Sequence, residues 1–219
     1  MEYGGITIQW LGHDGFRFVH AGLVIYIDPF QIRGGPPADI VLVTHEHFDH
    51  LSPGDIRKVL KGDTEGVAPH IAARDLRGAG LRQVHEVKPG DVLQVKGITI
   101  EAHPAYNVNK FRSPGRPFHP REEGRVGYVL QLGQTRIYHA GDTDFIPEMK
   151  SVRADVALLP VSGVYVMTAE EAARAAKVIR PKLAIPMHWG AIVAGLQEAR
   201  SFEALAKEAT EVRILQAEP

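Results

Sequence analysis

Short apolar runs separated by glycine-containing turns open the chain. The runs are rich in β-branched and aromatic residues, which favour an extended backbone. Glycine occurs in each intervening turn, where it allows the chain to reverse direction. The three runs cover residues 6–10, 16–20 and 23–27. This pattern predicts an antiparallel meander of three strands.

The pattern further along the chain alternates between strand and helix signals. The run at residues 40–43 has no polar position, which predicts a strand buried on both faces. A Ser-Pro pair predicts a helix over residues 53–60, and a Thr-x-x-Glu capping box predicts another over residues 168–179. Further strands are predicted over residues 67–72, 92–95, 98–102, 126–132, 135–139, 155–159, 183–186 and 212–215, and a last helix over residues 197–206. The alternation predicts an α/β fold.

The composition is that of an ordinary soluble domain. The chain has 219 residues, 44% of them hydrophobic and 23% charged, and its length suits a single domain over residues 1–219. The formal net charge of -1 gives no overall attraction for nucleic acid or an anionic membrane. A signal sequence or a membrane-spanning segment is not recognised, so we expect a cytoplasmic protein with a small-molecule substrate and no nucleic-acid partner. Formation of a homo-oligomer is left open.

The chemistry-bearing residues concentrate directly after the buried strand at residues 40–43. The chain contains no cysteine, which leaves histidine and carboxylate as its strong metal ligands. Residues 45–50 read His-Glu-His-Phe-Asp-His. His45 and His47 point to one side only where the backbone is extended or loop-like. One short loop can therefore supply ligands to two neighbouring metal ions.

The segment from Thr44 to His50 carries a resemblance to a known family. It reads Thr-His-x-His-x-Asp-His and resembles the signature of the metallo-β-lactamase superfamily. The resemblance extends from Ile6 to about Ala191, and it is strongest to small metal-dependent hydrolases such as L-ascorbate-6-phosphate lactonase. It implies two divalent metal ions, with the ligands His45, His47, Asp49, His50, His103, Asp142 and His188. Asp142 is the residue expected to bridge both ions.

The same resemblance implies a fold and an activity. The fold is a four-layer αββα sandwich, in which two mixed sheets face each other and helices cover them outside. The expected activity is hydrolysis of a small ester, lactone or phosphoester by water that the two ions activate, with Asp49 as catalytic residue. Zinc is the first expectation for the metal, and manganese or iron also suit a site of histidines and carboxylates.

Several assignments have alternatives. His103 lacks the Gly-His-Thr context that is common in the family, and His119 competes with it for the same role. Asp28 is expected to support the loop at residues 45–50 by hydrogen bonding to ligand imidazoles, without binding metal itself. The alternative is that Asp28 belongs to a simple turn at the end of a strand. His13 lies near these motifs in the sequence and is a further candidate for lining the pocket.

Substrate contacts are expected from a long basic loop and one turn. Residues 106–124 form a proline-rich segment with several arginines, which favours a lid or binding loop for an anionic substrate. These charges could equally serve only to keep the loop soluble. The expected contacts are Tyr106, Asn107, Arg112, Arg116 and Tyr165. The alternative functions are a phosphodiesterase or nuclease acting on phospholipid or nucleic acid, and a metal-binding protein without catalysis.

Overall fold

Two mixed seven-stranded β-sheets face each other in the computed structural model, which describes residues 1–218. The strands of the first sheet lie within residues 2–87, and they are neighbours in sequence order. They are β1 (Glu2–Tyr3), β2 (Ile6–Gly12), β3 (Gly15–His20), β4 (Leu23–Ile27), β5 (Ile40–Leu42), β6 (Glu65–Pro69) and β7 (Gln83–Val87). The first four pair antiparallel and the last four pair parallel, so the predicted meander continues into a parallel half.

The second sheet takes the rest of the chain. Its strands are β8 (Val92–Val95), β9 (Ile98–Pro104), β12 (Val126–Leu132), β13 (Thr135–His139), β14 (Val156–Pro160), β15 (Leu183–Met187) and β16 (Glu211–Val212). They lie in the order β16-β15-β14-β13-β12-β9-β8. A separate short hairpin, β10 (Phe111–Ser113) with β11 (Arg116–Pro117), lies within the predicted basic loop.

Helices cover the outer face of each sheet. The helices are α1 (Pro53–Arg57), α2 (His70–Gly78), α3 (Ala169–Ile179) and α4 (Leu196–Ala206), with 3-10 turns at Arg121–Glu123 and Pro147–Ser151. The first two pack on the first sheet, and the last two pack on the second. The result is the four-layer αββα sandwich that the resemblance implies.

Alternate residues of β5 face two different hydrophobic cores. Ile40 and Leu42 are buried in the core between the sheets, whereas Val41 is buried against α1 and α2. Since successive side chains of a strand point to opposite faces, a strand between two cores must be apolar throughout. The prediction that the apolar run at residues 40–43 forms a strand buried on both faces is therefore confirmed.

The predicted strand over residues 67–72 is wrong in its second half. Strand β6 ends at Pro69, and α2 begins at the next residue. Ala72, Ala73 and Leu76 are buried along one side of α2, a spacing of three and four residues that belongs to a helix. The prediction extended the strand that contains Val67 three residues too far, into the first turn of this helix.

None of the helices within residues 1–218 is both long and apolar enough to cross a bilayer.

Candidate metal centre

Loops at one edge of the two sheets bring the candidate ligands together. His13 and Asp14 lie in the turn between β2 and β3, and the segment 45–50 follows β5. Asp142 follows β13, and His188 follows β15 directly. Because the carboxyl ends of the parallel strands meet at this edge, residues distant in sequence converge there.

The first group of potential ligands consists of three histidines and one carboxylate, His45, His47, His119 and Asp142. Their ligand atoms lie within 4.8 Å of one another. His45 Nε2 is 3.0 Å from His47 Nδ1, and His119 Nε2 is 3.3 Å from Asp142 Oδ2. His47 is the exposed member of the group, with 30% of its side chain accessible.

The second group lies on the other side of Asp142. His50 Nε2 is 3.3 Å from Asp142 Oδ1 and 3.9 Å from Asp49 Oδ2. His188 Nε2 is 3.5 Å from Asp142 Oδ2. His13 Nε2 is hydrogen-bonded to Asp49 Oδ2 at 3.0 Å. The carboxylate of Asp142 therefore lies between the two groups of ligand atoms.

Several atoms of this cluster are buried without a hydrogen-bond partner among the described residues. They include Nε2 of His50, His119 and His188, and Oδ1 of Asp142. Buried polar atoms are nearly always satisfied in folded proteins, so a group of unsatisfied atoms requires an explanation. Imidazole nitrogens and carboxylate oxygens are the ligands that divalent transition metals use. The residues present thus fit divalent cations between them.

Three of the histidine rings are oriented by a contact at Nδ1, the ring nitrogen that faces away from the cluster. His50 Nδ1 lies 2.7 Å from Asp28 Oδ2, and His188 Nδ1 lies 2.8 Å from Ser162 Oγ. His119 Nδ1 lies 2.8 Å from Asn107 Oδ1. Such contacts hold the ring so that Nε2 faces the cluster, as outer partners of metal-ligating histidines do.

The charges of the cluster favour a cation. Burial by itself raises the pKa of Asp142, but His50 and His188 outweigh it and hold the pKa well below the usual range. Burial lowers the pKa of His188, and the carboxylates of Asp142 and Asp14 overcome this and raise it to about 9. Burial, and secondarily the neighbouring His119, lowers the pKa of His47 to about 4. Asp142 is therefore ionised and His47 neutral, the forms in which both bind metal, whereas His188 holds a proton that a bound cation would displace.

Several residues around the centre have a left-handed backbone. His13, Asp28 and His188 have φ values of 51°, 45° and 60°. Non-glycine residues adopt such values rarely, and they concentrate at functional sites. Gly141 has φ 63°, and a Cβ there would lie 2.8 Å from the carbonyl oxygen of Val126. Glycine before Asp142 therefore allows the close approach of the loop to β12.

The structure places His103 outside the cluster, which corrects its prediction as a ligand. The predicted strand ended at Ala102, but β9 continues to Pro104, so His103 lies within the strand and pairs with Gly127. Its Nε2 lies 3.4 Å from Glu101 Oε2. The competing residue, His119, occupies the expected place beside His45 and His47.

A small cavity opens onto the centre and contains two of the five predicted substrate contacts. Its volume is about 240 Å³, and it is lined by His47, Phe48, Asp49, Arg112, Phe118, His119, Asp142 and Tyr165. The guanidinium of Arg112 lies 5.6 Å from the ring centroid of Phe118, and the rings of Phe118 and Tyr165 are 4.7 Å apart. Arg112 and Tyr165 therefore form part of the cavity wall.

The other three predicted contacts lie elsewhere. Tyr106 donates its hydroxyl hydrogen to Glu148 and lines a different cavity. Asn107 is buried behind His119, and Arg116 lines a neighbouring cleft beside the centre. The prediction of Tyr106 and Asn107 as substrate contacts is corrected by these positions, because their side chains are engaged within the protein.

Two residues of the centre escaped the sequence analysis. Asp14 is fully buried and faces His50 and His188. Arg125 is 5% exposed and donates two hydrogen bonds to Glu46, from Nε at 3.1 Å and from Nη2 at 2.5 Å. Glu46 lies between the candidate ligands His45 and His47 in the sequence. The His-Asp pair between Gly12 and Gly15 was a sequence signal that could have indicated Asp14. No local sequence signal indicates the pairing of Arg125 with Glu46, because the two residues are 79 positions apart.

Comparisons with known proteins agree with the fold and with dependence on a metal. The family model described as Beta-lactamase superfamily domain matches residues 7–188. A UPF0173 metal-dependent hydrolase of Methanopyrus kandleri is 35% identical over 213 residues, which cover 90% of each chain. Another UPF0173 metal-dependent hydrolase, from Methanoculleus marisnigri, is 34% identical over 95% of this chain and 92% of its own.

A solved structure extends the comparison. A protein of Parabacteroides distasonis named as a metal-dependent hydrolase has 36% identity and a TM-score of 0.83, covering 97% of this chain and 94% of its own. The chain therefore belongs to the β-lactamase superfamily, and within it to the UPF0173 metal-dependent hydrolases. It is a metal-dependent hydrolase. The narrower resemblance to the L-ascorbate-6-phosphate lactonase branch stays a prediction.

Proposed function

We propose that this hydrolase uses two divalent cations to cleave a small ester, lactone or phosphoester that carries an anionic group. The observation that supports this most strongly is the set of buried, unpartnered atoms that converge from both sides on the Asp142 carboxylate. A single structural cation would be closed off by about four ligands. This cluster contains more ligand atoms than one such cation uses, which favours two cations.

The ligands divide between the two cations by their positions. His45, His47 and His119 would hold the first cation. Asp49, His50 and His188 would hold the second cation. Asp142 would contribute to both, because its carboxylate lies 3.3 Å from His50 on one side and 3.3 Å from His119 on the other. Such cations would lower the pKa of water and polarise the bond to be cleaved. We expect zinc at the first position, where imidazole dominates.

Asp49 is the residue that we assign to proton transfer. Its side chain is 15% exposed, it lines the cavity, and His13 holds its Oδ2 at 3.0 Å. A carboxylate held in this way can orient the attacking water and accept its proton. Its pKa is lowered because the hydrogen bond from His13 and the charge of His50 outweigh the effect of burial. Asp49 is therefore ionised, as a proton acceptor must be.

The cavity wall favours a small anionic substrate. Arg112 is the basic side chain that lines the cavity, and Arg116 lines the adjoining cleft. A guanidinium binds carboxylate or phosphate by paired hydrogen bonds. The aromatic rings of Phe48, Phe118 and Tyr165 offer apolar contact beside it. A cavity of about 240 Å³ suits a small ester or lactone group better than a polymer.

Metal analysis and a substrate panel test this proposal together. Protein purified without added metal is analysed for its elements, and we expect two equivalents of divalent cation per chain. Lactones, acyl esters and phosphodiesters, each with and without an anionic group, are then compared, and chelated protein is the control. We expect metal-dependent turnover that is highest on an anionic small substrate. Turnover that survives complete chelation, or that is confined to RNA, DNA or phospholipid, contradicts the proposal.

A further inference from the structure

Asp14 carries a buried carboxylate that the described residues do not satisfy. It lies in the tight turn between β2 and β3, and its side chain is 0% exposed. Neither Oδ1 nor Oδ2 has a hydrogen-bond partner within residues 1–218. Burying a carboxylate is costly unless it is paired or coordinates a metal. Asp14 Oδ2 has histidine nitrogens nearby, His13 Nε2 among them at 3.8 Å, but none within hydrogen-bond distance. A fully buried carboxylate spaced in this way from imidazole nitrogens points to a shared ligand.

The surroundings of Asp14 indicate which ligand this is. Its Oδ2 lies 3.6 Å from His50 Nε2 and 3.8 Å from His188 Nε2, and both of these nitrogens are also unpartnered. The ligand atoms of Asp14, His50, Asp142 and His188 all lie within 4.8 Å of one another. Ligands about 2.1 Å from one octahedral ion are separated by roughly 3 to 4.2 Å. The four side chains are thus spaced as ligands around a single cation.

We propose that Asp14 is a third carboxylate ligand of the second cation and makes that position selective for a manganese-type cation over zinc. The inference rests on the two-cation site proposed above. Asp14 and Asp142 form one set with His50 and His188, and Asp49 forms another with the same two histidines. A cation shared by these two sets would have three carboxylates and two imidazoles around it. The first cation has three imidazoles and one carboxylate. Carboxylate-rich sets suit manganese, and imidazole-rich sets suit zinc, so the two positions differ in preference.

A purely structural role for Asp14 predicts a different dependence on metal. If Asp14 only pairs with the nearby histidines, Asp14→Asn changes the melting temperature by a similar amount with and without metal. If Asp14 is a cation ligand, Asp14→Asn also reduces the rise in melting temperature that Mn²⁺ gives, because a ligand stabilises the folded protein according to its affinity. The size of that rise separates the two roles.

The test compares the wild type with Asp14→Asn and a matched control, Asp144→Asn. Asp144 is equally buried, but its Oδ2 accepts hydrogen bonds from the backbone of Val108 and Asn109. Binding of Mn²⁺ and Zn²⁺ is measured by competition titration and by electron paramagnetic resonance of Mn²⁺. Melting temperatures are measured in chelator and with saturating Mn²⁺. These readouts do not depend on turnover.

We expect Asp14→Asn to lower the Mn²⁺ affinity of one site at least about tenfold. The Zn²⁺ affinity of the other site should stay unchanged. The rise in melting temperature on adding Mn²⁺ should be smaller than in the wild type. Asp144→Asn should leave Mn²⁺ affinity unchanged. Unchanged Mn²⁺ affinity in Asp14→Asn, or a rise in melting temperature with Mn²⁺ equal to that of the wild type, overturns the inference.

The wild type separates failure of this inference from failure of the proposed function. If the wild type binds no second cation, both fail. If it binds two cations, and Asp14→Asn binds both as tightly, only the role of Asp14 fails. Should Asp14→Asn not fold, wild-type crystals soaked in Mn²⁺ decide the matter by anomalous scattering. A manganese ion within bonding distance of an Asp14 oxygen supports the inference, and one bound by the other ligands alone overturns it.

Discussion

The side-chain oxygen of Asn107 holds His119 at two points. It accepts one hydrogen bond from the backbone N–H of His119 at 2.9 Å and another from ring Nδ1 at 2.8 Å. Because Nδ1 then carries the proton, Nε2 presents its lone pair 3.3 Å from Asp142. The opposite end of the Asn107 amide donates to the carbonyl of Tyr165 at 2.8 Å. Asn107 thus connects a candidate metal ligand to the wall of the cavity.

We expect Asn107→Ala to lower the affinity for the first cation about 10- to 100-fold. Losing an outer partner frees the ring of its ligand histidine to rotate and to change tautomer, and affinity losses of this size follow. Competition for Zn²⁺ against a chromophoric chelator measures the change.

Asn109→Ala is the control for this prediction. Asn109 belongs to the same loop, but its side chain donates to Glu171 at 2.6 Å and not to His119. Its Zn²⁺ affinity should stay within a few-fold of the wild type. Equal losses in the two variants would show that general loosening of the loop, rather than orientation of His119, controls zinc binding.

The sequence predicts most of the sheet architecture because its signals are local. The apolar run of β5, the meander of β2 to β4 and the capping box of α3 depend on neighbouring residues, and the structure confirms each. Strand β7 was missed because it is mostly polar and partly exposed, as its residues Gln83 and Glu86 show. An edge strand of this kind lacks the apolar alternation on which sequence analysis depends.

Most of the candidate centre is predicted from the sequence, including Asp142 and His188, which lie outside the motif at residues 45–50. His45, His47, Asp49 and His50 come from a single loop, and the structure keeps them together. The choice between His103 and His119 depended on where β9 ends, and strand ends are the least certain feature of a sequence prediction. Strand β9 continues two residues beyond its predicted end, to Pro104. His103 is therefore part of the strand, and its side chain lies beside Glu101.

Replacing Asp49 with alanine should lower kcat about 10²- to 10⁴-fold, the range that a general acid or base typically contributes. The fold should persist, since Asp49 is partly exposed and its contacts lie at the cavity rather than in the core. Steady-state kinetics measures the loss, and near-ultraviolet circular dichroism checks the fold. Full turnover in a metal-loaded Asp49→Ala protein would refute the assignment of proton transfer to this residue.

Arg112→Gln should raise KM for anionic substrates about tenfold or more, because hydrogen bonds to charged groups contribute about 1.5–3 kcal/mol. Neutral analogues should be cleaved as before. The matched control is Arg174→Gln. Arg174 also lies over an aromatic ring, that of Phe145 at 5.5 Å, but it belongs to α3 and does not line the cavity. Equal KM changes for charged and neutral substrates would mean that Arg112 shapes the cavity without recognising charge.

Glu171 connects the basic loop to the start of α3, and this link should depend on pH. Its carboxylate accepts hydrogen bonds from Lys110 Nζ at 2.7 Å, Asn109 Nδ2 at 2.6 Å and the backbone of Thr168 at 2.9 Å. Burial by itself raises the pKa of Glu171, but the hydrogen bonds from Lys110 and Asn109 outweigh it and lower the pKa. The ionised form is therefore favoured in the folded protein.

A lowered folded-state pKa gives stability that is present above the unfolded pKa, about 4.3, and is lost as pH falls through the folded pKa. Glu171→Gln preserves the capping box with Thr168 but removes the charge that Lys110 binds. We expect it to lower the free energy of unfolding by about 1–2 kcal/mol at neutral pH, with the difference shrinking below about pH 4. Urea unfolding across this range measures it, and Glu203→Gln on α4 is the control. A difference of the same size at pH 3 and pH 7 would assign the effect of Glu171 to packing, because a loss of packing does not follow the protonation of a carboxylate.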